Sequence, residues 1–154
     1  MTALAHDDLV KWYWVPTIGD ISAPTVAEQT AGTLIPGITN YSTPNSESEV
    51  DTSDIDSLYD TSVVGTTKSG PIEITMKRDD TDETDTWDLF STVRQAGYLM
   101  KAINGVPVAS DKVEVYPVQV GTRRPESYSR NTAQKFMVNF YVTSEPDLDA
   151  TLTA

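Results

Sequence analysis

Apolar and polar residues alternate with a period of two in several stretches of this sequence. In residues 72–78, for example, Ile72, Ile74 and Met76 fall on one side and polar residues fall on the other. Successive side chains of a β-strand point to opposite faces of a sheet, so this spacing predicts strands that are buried on one face. The further segments with strand character are 11–15, 33–41, 97–103, 113–120 and 136–142. The chain is therefore predicted to be mainly β.

Prolines mark the expected irregularities of these strands. Pro36 and Gly37 interrupt the segment 33–41, which suggests a bulge or an edge position. In residues 113–120 the apolar side changes at Pro117, so we expect a bulge or a change of register at that proline.

One stretch has the spacing of a helix instead. Residues 86–96 carry apolar side chains three and four positions apart, Asp85 is suited to cap their start, and Gly97 is suited to end them. The apolar stripe consists of Trp87, Leu89, Phe90, Val93 and Ala96. A shorter run at 26–29 allows one helical turn before Gly32. We therefore expect a mainly β fold with one flanking α-helix.

Residues 42–70 are rich in Ser, Thr, Asp and Glu and contain few apolar side chains. Such a segment gains little by packing on the core, so we interpret it as a long inter-strand loop with room for a short ribbon. Its carboxylates are Glu47, Glu49, Asp51, Asp54, Asp56 and Asp60, with no base among them. The whole chain, 1–154, fits a single domain, with an N-terminal arm at about 1–8 and a C-terminal arm at about 145–154.

The composition argues against several kinds of chemistry. The chain has no cysteine, which excludes disulfides, thiol catalysis and Cys-ligated zinc, and its only histidine, His6, precedes every predicted element. The acidic run 79–85 suits a turn before the helix better than a calcium loop. An EF-hand beginning at Asp80 needs glycine and glutamate where this chain has Asp85 and Ser91. We therefore predict no catalytic residues, no cofactor and no metal.

Charge is a further constraint on function. The formal net charge of -12 opposes binding of nucleic acid through counterion release, although it does not oppose passage of nucleic acid past the protein. The one basic concentration consists of Arg123, Arg124 and Arg130, with Lys135 nearby. It can bridge to an acidic surface of a neighbouring subunit, contact DNA phosphates or form a solvated hairpin tip, and the sequence leaves all three open. No stretch is apolar for the 18 or more residues of a membrane span, so we expect no membrane insertion.

Two stretches of the chain resemble the tail tube (major tail) proteins of long-tailed phages, the siphophages. The first is residues 21–28 followed by 31–33, just before a predicted strand. The second is residues 111–121, followed by polar and basic residues and then by 135–140. The order of the elements between them, a long polar loop, a strand and one amphipathic helix, is also similar to that of this family.

The resemblance implies a tail-tube-like fold, a β-sandwich or open β-barrel, in which six subunits join strands into one inner barrel and rings stack into a tube. The strands expected to supply that barrel are 33–41, 72–78, 113–120 and 136–142. We expect Glu73 and Glu114 to face the lumen, the acidic loop 42–70 to join successive rings, and the basic residues Arg123, Arg124 and Arg130 to join neighbouring subunits.

The same resemblance implies partners and a location. The partners are further copies of this chain, a tape-measure protein, a tail-tip initiator and a tail terminator, while DNA passes through the tube without specific binding. The protein would be assembled in the cytoplasm of a bacterial host and end in the tail of the virion.

Two other classes of function remain open. A monomeric β-sandwich module could bind carbohydrate or protein, with Trp12, Trp14 and Trp87 as stacking faces, although their positions in predicted strands and helix favour packing. A capsid decoration or tail-terminator subunit would form a single ring or trimer and stop. We predict that the chain is not an enzyme.

Overall fold

Ten β-strands and two short helices make up the described part of the chain. It covers residues 9–78, 86–126, 130–131 and 133–154 of a computed structural model. The predicted N-terminal arm at 1–8 and the acidic run 79–85 lie outside the described residues. In chain order the elements are β1 (Lys11–Val15), α1 (Val26–Ala31), β2 (Thr33–Leu34), β3 (Ile38–Ser42), β4 (Asn45–Asp51), β5 (Ser62–Ser69), β6 (Ile72–Lys77), α2 (Thr86–Leu89), β7 (Ala96–Ala102), β8 (Lys112–Pro125), β9 (Lys135–Val142) and β10 (Asp147–Thr151).

The main sheet forms two layers that share one long strand. Its order is β2-β1-β7-β8-β9-β6-β3, with every neighbouring pair antiparallel and with β10 beside the start of β8. β8 pairs with β7 along its first half and with β9 along its second half. We call β2, β1, β7, β10 and the first half of β8 the first layer. The second half of β8 with β9, β6 and β3 is the second layer.

The two ends of this sheet meet because the chain crosses directly from one to the other. The segment predicted as one strand at 33–41 is two strands, β2 and β3, which are separated at Pro36 and Gly37. Gly37 has a φ of 69°, a conformation that favours glycine. Trp12 of β1 and Tyr41 of β3 then meet edge to face with ring centroids 5.2 Å apart. The sheet therefore curls into an open barrel, which confirms the predicted fold class.

The main core fills the space between the two layers. Every second side chain of β6 and β9 faces this core, as the period of two in the sequence predicted. Trp14 from the first layer packs against Phe90 and Phe140 with ring centroids 5.5 and 6.1 Å away, and those two phenyl rings lie 5.1 Å apart. Aromatic pairs of this kind contribute about 0.5–1.5 kcal/mol each beyond their buried area. This cluster therefore holds the two layers together.

A second apolar cluster covers the outer side of the first layer. Ala150 and Leu152 are completely buried in it, together with Tyr13, Val15, Ile18, Met100, Ala102, Val113 and Val115. β10 pairs with β8, and Thr153 bridges to Thr25. The C-terminal residues are thus part of the sheet rather than the arm expected at 145–154, because their apolar side chains fill this cluster.

The predicted helix at 86–96 is wrong beyond its first turn. α2 ends at Leu89, and Phe90 then enters the main core. Val93 is half exposed, so the apolar stripe does not form one helix face. Arg94 has a φ of 71°, and its N–H donates to the carbonyl oxygen of Val120 in β8. Gly97 does not end a helix but lies in β7, where it is the cross-strand partner of Val118 in β8. The chain has two short helices in its described part, and neither matches the single longer helix that was expected.

The predicted turn at 26–29 is confirmed as α1. Its capping box is complete, since the Glu28 N–H donates to Thr25 Oγ1 (3.1 Å) and the Thr25 N–H donates to Glu28 Oε1 (2.9 Å). Gly19 N–H donates to the second oxygen of Glu28 at 2.7 Å. The hydrogen bond from the Thr25 backbone is the main reason that the pKa of Glu28 is lowered.

β8 runs without a bulge through Pro117, contrary to the prediction. The β7–β8 register is regular along this segment. The apolar side changes there because the second cluster covers one face of the first layer while the main core covers the other. The irregularity lies between Val120 and Arg123 instead. Gly121 approaches β9 there so closely that a Cβ would lie 2.6 Å from the Asn139 carbonyl oxygen.

Candidate assembly surface

No described element covers the outer face of the second layer. Because alternate residues of β6 and β9 face the core, Glu73 and Lys77 of β6 and Met137, Asn139 and Tyr141 of β9 point to the other side. These five side chains are half-buried or exposed, with Tyr141 at 51%, whereas Thr75, which lies between Glu73 and Lys77 on the same side, is only 8% exposed. We call this surface the open face. The first layer, in contrast, has its outer side covered by α1 and the C-terminal residues.

Both edges of the second layer lack a strand partner among the described residues. β3 ends the strand order, and β8 has no strand opposite β9 after Val120. Unpaired N–H and C=O groups at a sheet edge can bond to a strand of another chain. Three of the four strands assigned to an inner barrel, β3, β6 and β9, are neighbours here, and residues 118–125 of β8 complete the layer.

The segment 42–70 contains a long two-stranded ribbon, where the sequence left room for a short one. β4 and β5 pair along their length with one register shift between Glu47 and Glu49. At about 3.4 Å per residue, β4 carries the chain roughly 24 Å beyond the second layer. The tip side chains of Ile55, Leu58 and Tyr59 are 99%, 108% and 78% exposed. We call residues 45–69 the ribbon.

The six carboxylates predicted to join rings are all on the ribbon and all exposed. They are Glu47, Glu49, Asp51, Asp54, Asp56 and Asp60. Hydrogen bonds from the side chain and backbone of Ser53 lower the pKa of Asp51. Within the described residues, no group of three or more His, Cys, Asp or Glu side chains is placed to hold a metal ion. The ribbon therefore presents a string of separate negative charges.

The structure does not bring Glu73 and Glu114 together. Glu73 lies on the open face, whereas Glu114 shares the core side of β8 with Tyr116. Glu114 Oε2 is buried and lies 3.2 Å from Lys101 Nζ, and Lys101 in turn lies over the Tyr41 ring at 5.1 Å. Burial first, and the charge of Glu114 second, raise the pKa of Tyr116. Glu114 is thus one half of an ion pair at the end of the main core.

The predicted basic cluster is divided between two faces. Arg123 lies on the core side, where its guanidinium stacks 4.0 Å from the Trp87 ring centroid and donates to the Trp87 carbonyl oxygen at 2.5 Å. Arg78 covers the same indole at 4.4 Å. Arg124 is exposed on the outer side and donates to Asn139 Oδ1 at 3.2 Å. Arg130 is exposed in the turn between β8 and β9.

Two of the three tryptophans considered as stacking faces are buried in the core. Trp12 and Trp14 are 1% and 2% exposed, so neither can stack on a carbohydrate. A groove of about 810 Å³ lies between the base of the ribbon and residues 142–148, and mainly hydroxyl and apolar side chains line it. No described helix is long and apolar enough to cross a membrane.

Within the described residues, an uncovered sheet face, two unpaired sheet edges and a projecting ribbon are typical of a subunit that assembles with other chains. Comparison with known proteins agrees, since a family model described as phage tail tube protein matches residues 1–154. The chain belongs to the phage tail tube protein family, a structural family of virion components. A sequence search of curated proteins gave no significant match.

Two solved assemblies contain chains with the same fold. One is the tail of an empty GTA particle, described with C6 symmetry, with a TM-score of 0.58 at 12% identity, covering 97% of this chain and 100% of that chain. The other is the baseplate of the anti-feeding prophage, described as 6-fold symmetrised, with a TM-score of 0.56 at 11% identity, covering 96% of this chain and 95% of that chain. At these identities the likeness establishes the fold.

Proposed function

We propose that this protein forms hexameric rings that stack into the hollow tail tube of a long-tailed phage and conduct DNA during delivery. The observation that carries the proposal is the second layer, a four-stranded sheet in which the described residues leave one face uncovered and two edges unpaired. The six-fold symmetry described for both structural neighbours supports the ring number.

Ring closure follows from joining the two edges of the second layer in different copies. If β3 of one copy pairs with the end of β8 in the next, the contact is head to tail, and a head-to-tail contact that closes generates a ring. The second layers then form one continuous barrel. The backbone groups that are unpaired at both edges become hydrogen-bonded, which removes the aggregation hazard of open edges.

The open face lines the lumen in this arrangement. The main core occupies the other side of the second layer, so the barrel can present only the open face to its interior. Glu73 is accordingly our lumen carboxylate. Glu114 does not share this role, because it is paired with Lys101 on the core side of β8.

The ribbon reaches beyond the ring and contacts the next one. Its exposed tip has no core to pack on within its own chain, and a second ring would cover it. The tape-measure protein, tail-tip initiator and tail terminator remain the proposed partners at the inside and the two ends of the tube. Assembly in the bacterial cytoplasm belongs to the same proposal.

Disulfide trapping tests the ring. The chain has no native cysteine, so Asn40→Cys on β3 and Thr122→Cys on β8 introduce the only two thiols, both at exposed positions. Oxidation of assembled protein should give a denaturing-gel ladder that stops at six subunits, together with rings or tubes in electron micrographs. The matched control, Asn40→Cys with Thr30→Cys on α1, should give no ladder. Monomers in micrographs and no ladder at any concentration would refute the proposed function.

A further inference from the structure

Backbone hydrogen bonds within the second layer determine which backbone groups point out of its two edges. In an antiparallel ladder, hydrogen-bonded pairs alternate with pairs whose N–H and C=O groups point to the other side. The Glu126 N–H donates to the Lys135 carbonyl oxygen at 3.1 Å, so every second pair of β8 and β9 counted from there is a bonded one. Arg124 consequently bonds to β9, whereas Arg123 and Pro125 direct their backbone groups away from it.

The same alternation sets the direction of the backbone groups at the opposite edge, β3. The Lys77 N–H donates to the Gly37 carbonyl oxygen at 2.9 Å, so every second residue of β6 counted from Lys77 directs its backbone groups to β3. Ile38 and Tyr41 are the partners of the residues in between. Their backbone groups therefore point away from β6, out of the sheet edge.

The bulge in β3 gives the outward groups of the two edges the same spacing. Ile38 and Tyr41 are three positions apart in the sequence, but their partners in β6 are only two positions apart. The extra residue at the bulge thus brings them to the distance that two residues span in a regular strand, roughly 7 Å. Arg123 and Pro125 are two positions apart in a regular part of β8. Both outward residues of one edge can therefore meet both of the other.

The joint proposed between β8 of one copy and β3 of the next is antiparallel. Strand direction alternates from β8 through β9 and β6 to β3, so β3 runs opposite to β8. A copy related by rotation about the ring axis keeps its strand directions relative to that axis. In an antiparallel joint the outward residues of the two edges face each other in bonded pairs.

Two prolines favour one register of this joint. With Pro125 opposite Ile38, the Pro125 carbonyl oxygen accepts from the Ile38 N–H. Arg123 then faces Tyr41 in the next bonded pair. A slip by two residues places Pro125 opposite Pro36, and neither proline has an N–H, so their carbonyl oxygens would face each other without a donor. A slip the other way moves Arg123 beyond the end of β3.

We infer that neighbouring copies join with Pro125 of one opposite Ile38 of the next, and that Pro36 prevents the joint from slipping. This register rests on the proposed function, and it adds the alignment of the two edges. A slip by one residue is excluded as well, because it would turn the open face of one copy toward the core side of the next. Strand stagger and barrel diameter are linked, so one register at every joint gives rings of one diameter.

Side-chain contacts within each copy hold both edges in position for this joint. The Arg123 guanidinium lies over the Trp87 ring at 4.0 Å from its centroid. On the other edge, Tyr41 packs edge to face against Trp12 at 5.2 Å, and Lys101 Nζ lies 5.1 Å from the Tyr41 centroid. Edges that are ordered before two copies meet lose less conformational freedom on joining.

Cysteine pairs across the joint test the register. In the inferred register Thr122 lies opposite Ser42 in a non-hydrogen-bonded pair, whose Cα atoms are about 4.5 Å apart and within disulfide range. Asn40 and Thr122, the pair that traps the ring, lie on a diagonal of roughly 7–8 Å. In assembled protein, Ser42→Cys with Thr122→Cys should therefore oxidise on the order of tenfold faster than Asn40→Cys with Thr122→Cys.

The two variants share Thr122→Cys, so their comparison isolates the position on β3. Adding Pro36→Ala to both should narrow the difference in rate, because the new N–H can serve the Pro125 carbonyl oxygen in the slipped register. If Asn40→Cys with Thr122→Cys gives the six-subunit ladder and oxidises as fast as the Ser42→Cys pair or faster, the inferred register is wrong while the ring stands. No ladder from either pair, with monomers in micrographs, would overturn both.

A substitution that strengthens the joint provides a second readout. In the inferred register the N–H introduced by Pro125→Ala would face the Ile38 carbonyl oxygen and complete a reciprocal bonded pair. The protein concentration needed for tube formation, measured by light scattering and microscopy, should fall roughly two- to tenfold, as expected for one added hydrogen bond per joint. A concentration that is unchanged or higher would count against the register.

Discussion

Substituting Gly97 by alanine tests the packing of β7 against the main core. An added Cβ would lie 2.5 Å from two atoms of the Trp14 indole, where ordinary contact begins near 3.4 Å. The ring would have to retreat by about 0.9 Å, but it is 2% exposed and packed against Phe90 and Phe140. Overpacking of this kind costs about 1–3 kcal/mol. We expect Gly97→Ala to lower the free energy of unfolding by about 2 kcal/mol.

The assay is urea denaturation followed by far-UV circular dichroism, with a thermal scan alongside. For a domain of this size, about 2 kcal/mol corresponds to a fall in the melting temperature of roughly 4–8 °C. The matched control is Gly19→Ala, whose Cβ would have no atom nearer than Glu28 Oε2 at 3.9 Å. It should change the free energy of unfolding by less than about 0.5 kcal/mol.

A double-mutant cycle then assigns the cost to the indole. Trp14→Phe removes the ring atoms that the new methyl group meets, so Gly97→Ala should cost less in that background, with a coupling of about 1 kcal/mol or more. A Gly97→Ala variant as stable as the wild type, or strictly additive effects in the cycle, would show that the close approach of β7 to Trp14 has been misjudged.

Four further perturbations probe other parts of the molecule. Replacing the ribbon, residues 45–69, with a two-residue Asn-Gly turn should leave the melting temperature within about 3 °C of wild type, because no ribbon side chain enters a core, while abolishing tubes in micrographs. Thr25→Ala should cost about 1 kcal/mol in urea titration through loss of the helix cap. Since the pKa of Glu28 is lowered in the fold, its ionised form stabilises the protein above its usual pKa of 4.5, and this contribution fades as the pH falls through the lowered value. Arg123→Lys should cost about 1–2 kcal/mol because lysine cannot both stack on Trp87 and reach its carbonyl as a planar guanidinium does.

Two of these predictions have a matched variant as control. Arg124→Lys, at an exposed position of the same strand, should be nearly neutral in the denaturation that detects Arg123→Lys. Glu28→Gln should flatten the acid dependence of stability that the wild type shows. A ribbon deletion that unfolds the protein would mean that the ribbon contributes to folding, contrary to its exposure.

The strands could be predicted from the sequence where one face is buried and the other is not. β6 and β9 show this clearly, because Ile72, Ile74 and Phe136 face the core while their neighbours face outward. The ribbon was harder to predict, since both faces of β4 and β5 are exposed and no apolar period distinguishes them from a loop. Their pairing comes from backbone hydrogen bonds, which leave little trace in side-chain pattern.

The predicted helix at 86–96 shows a second reason why part of the fold could not be predicted from the sequence. Trp87, Phe90 and Val93 have helical spacing, but only Phe90 reaches the centre of the core, and the chain must turn at Arg94 to let Gly97 meet Trp14. That requirement is a tertiary contact over more than 80 residues and leaves no local signal. The acidic and basic residues of the candidate assembly surface could be identified from the sequence. Which face each residue occupies, as for Glu114, depended on the curl of the sheet.

The exposure of the ribbon also bears on how such a tube can diverge. Positions that support no core tolerate substitution and insertion at little folding cost, so the ribbon can change faster than the layers beneath it. In the proposed tube, one gene encodes both the ribbon and the surface that it contacts in the next ring, so every change in one is tested against the other in the same lineage. In two separate lineages, the ribbon and its contact surface can therefore change together in different ways. In a cell infected by both, we expect each kind of subunit to extend only its own tubes.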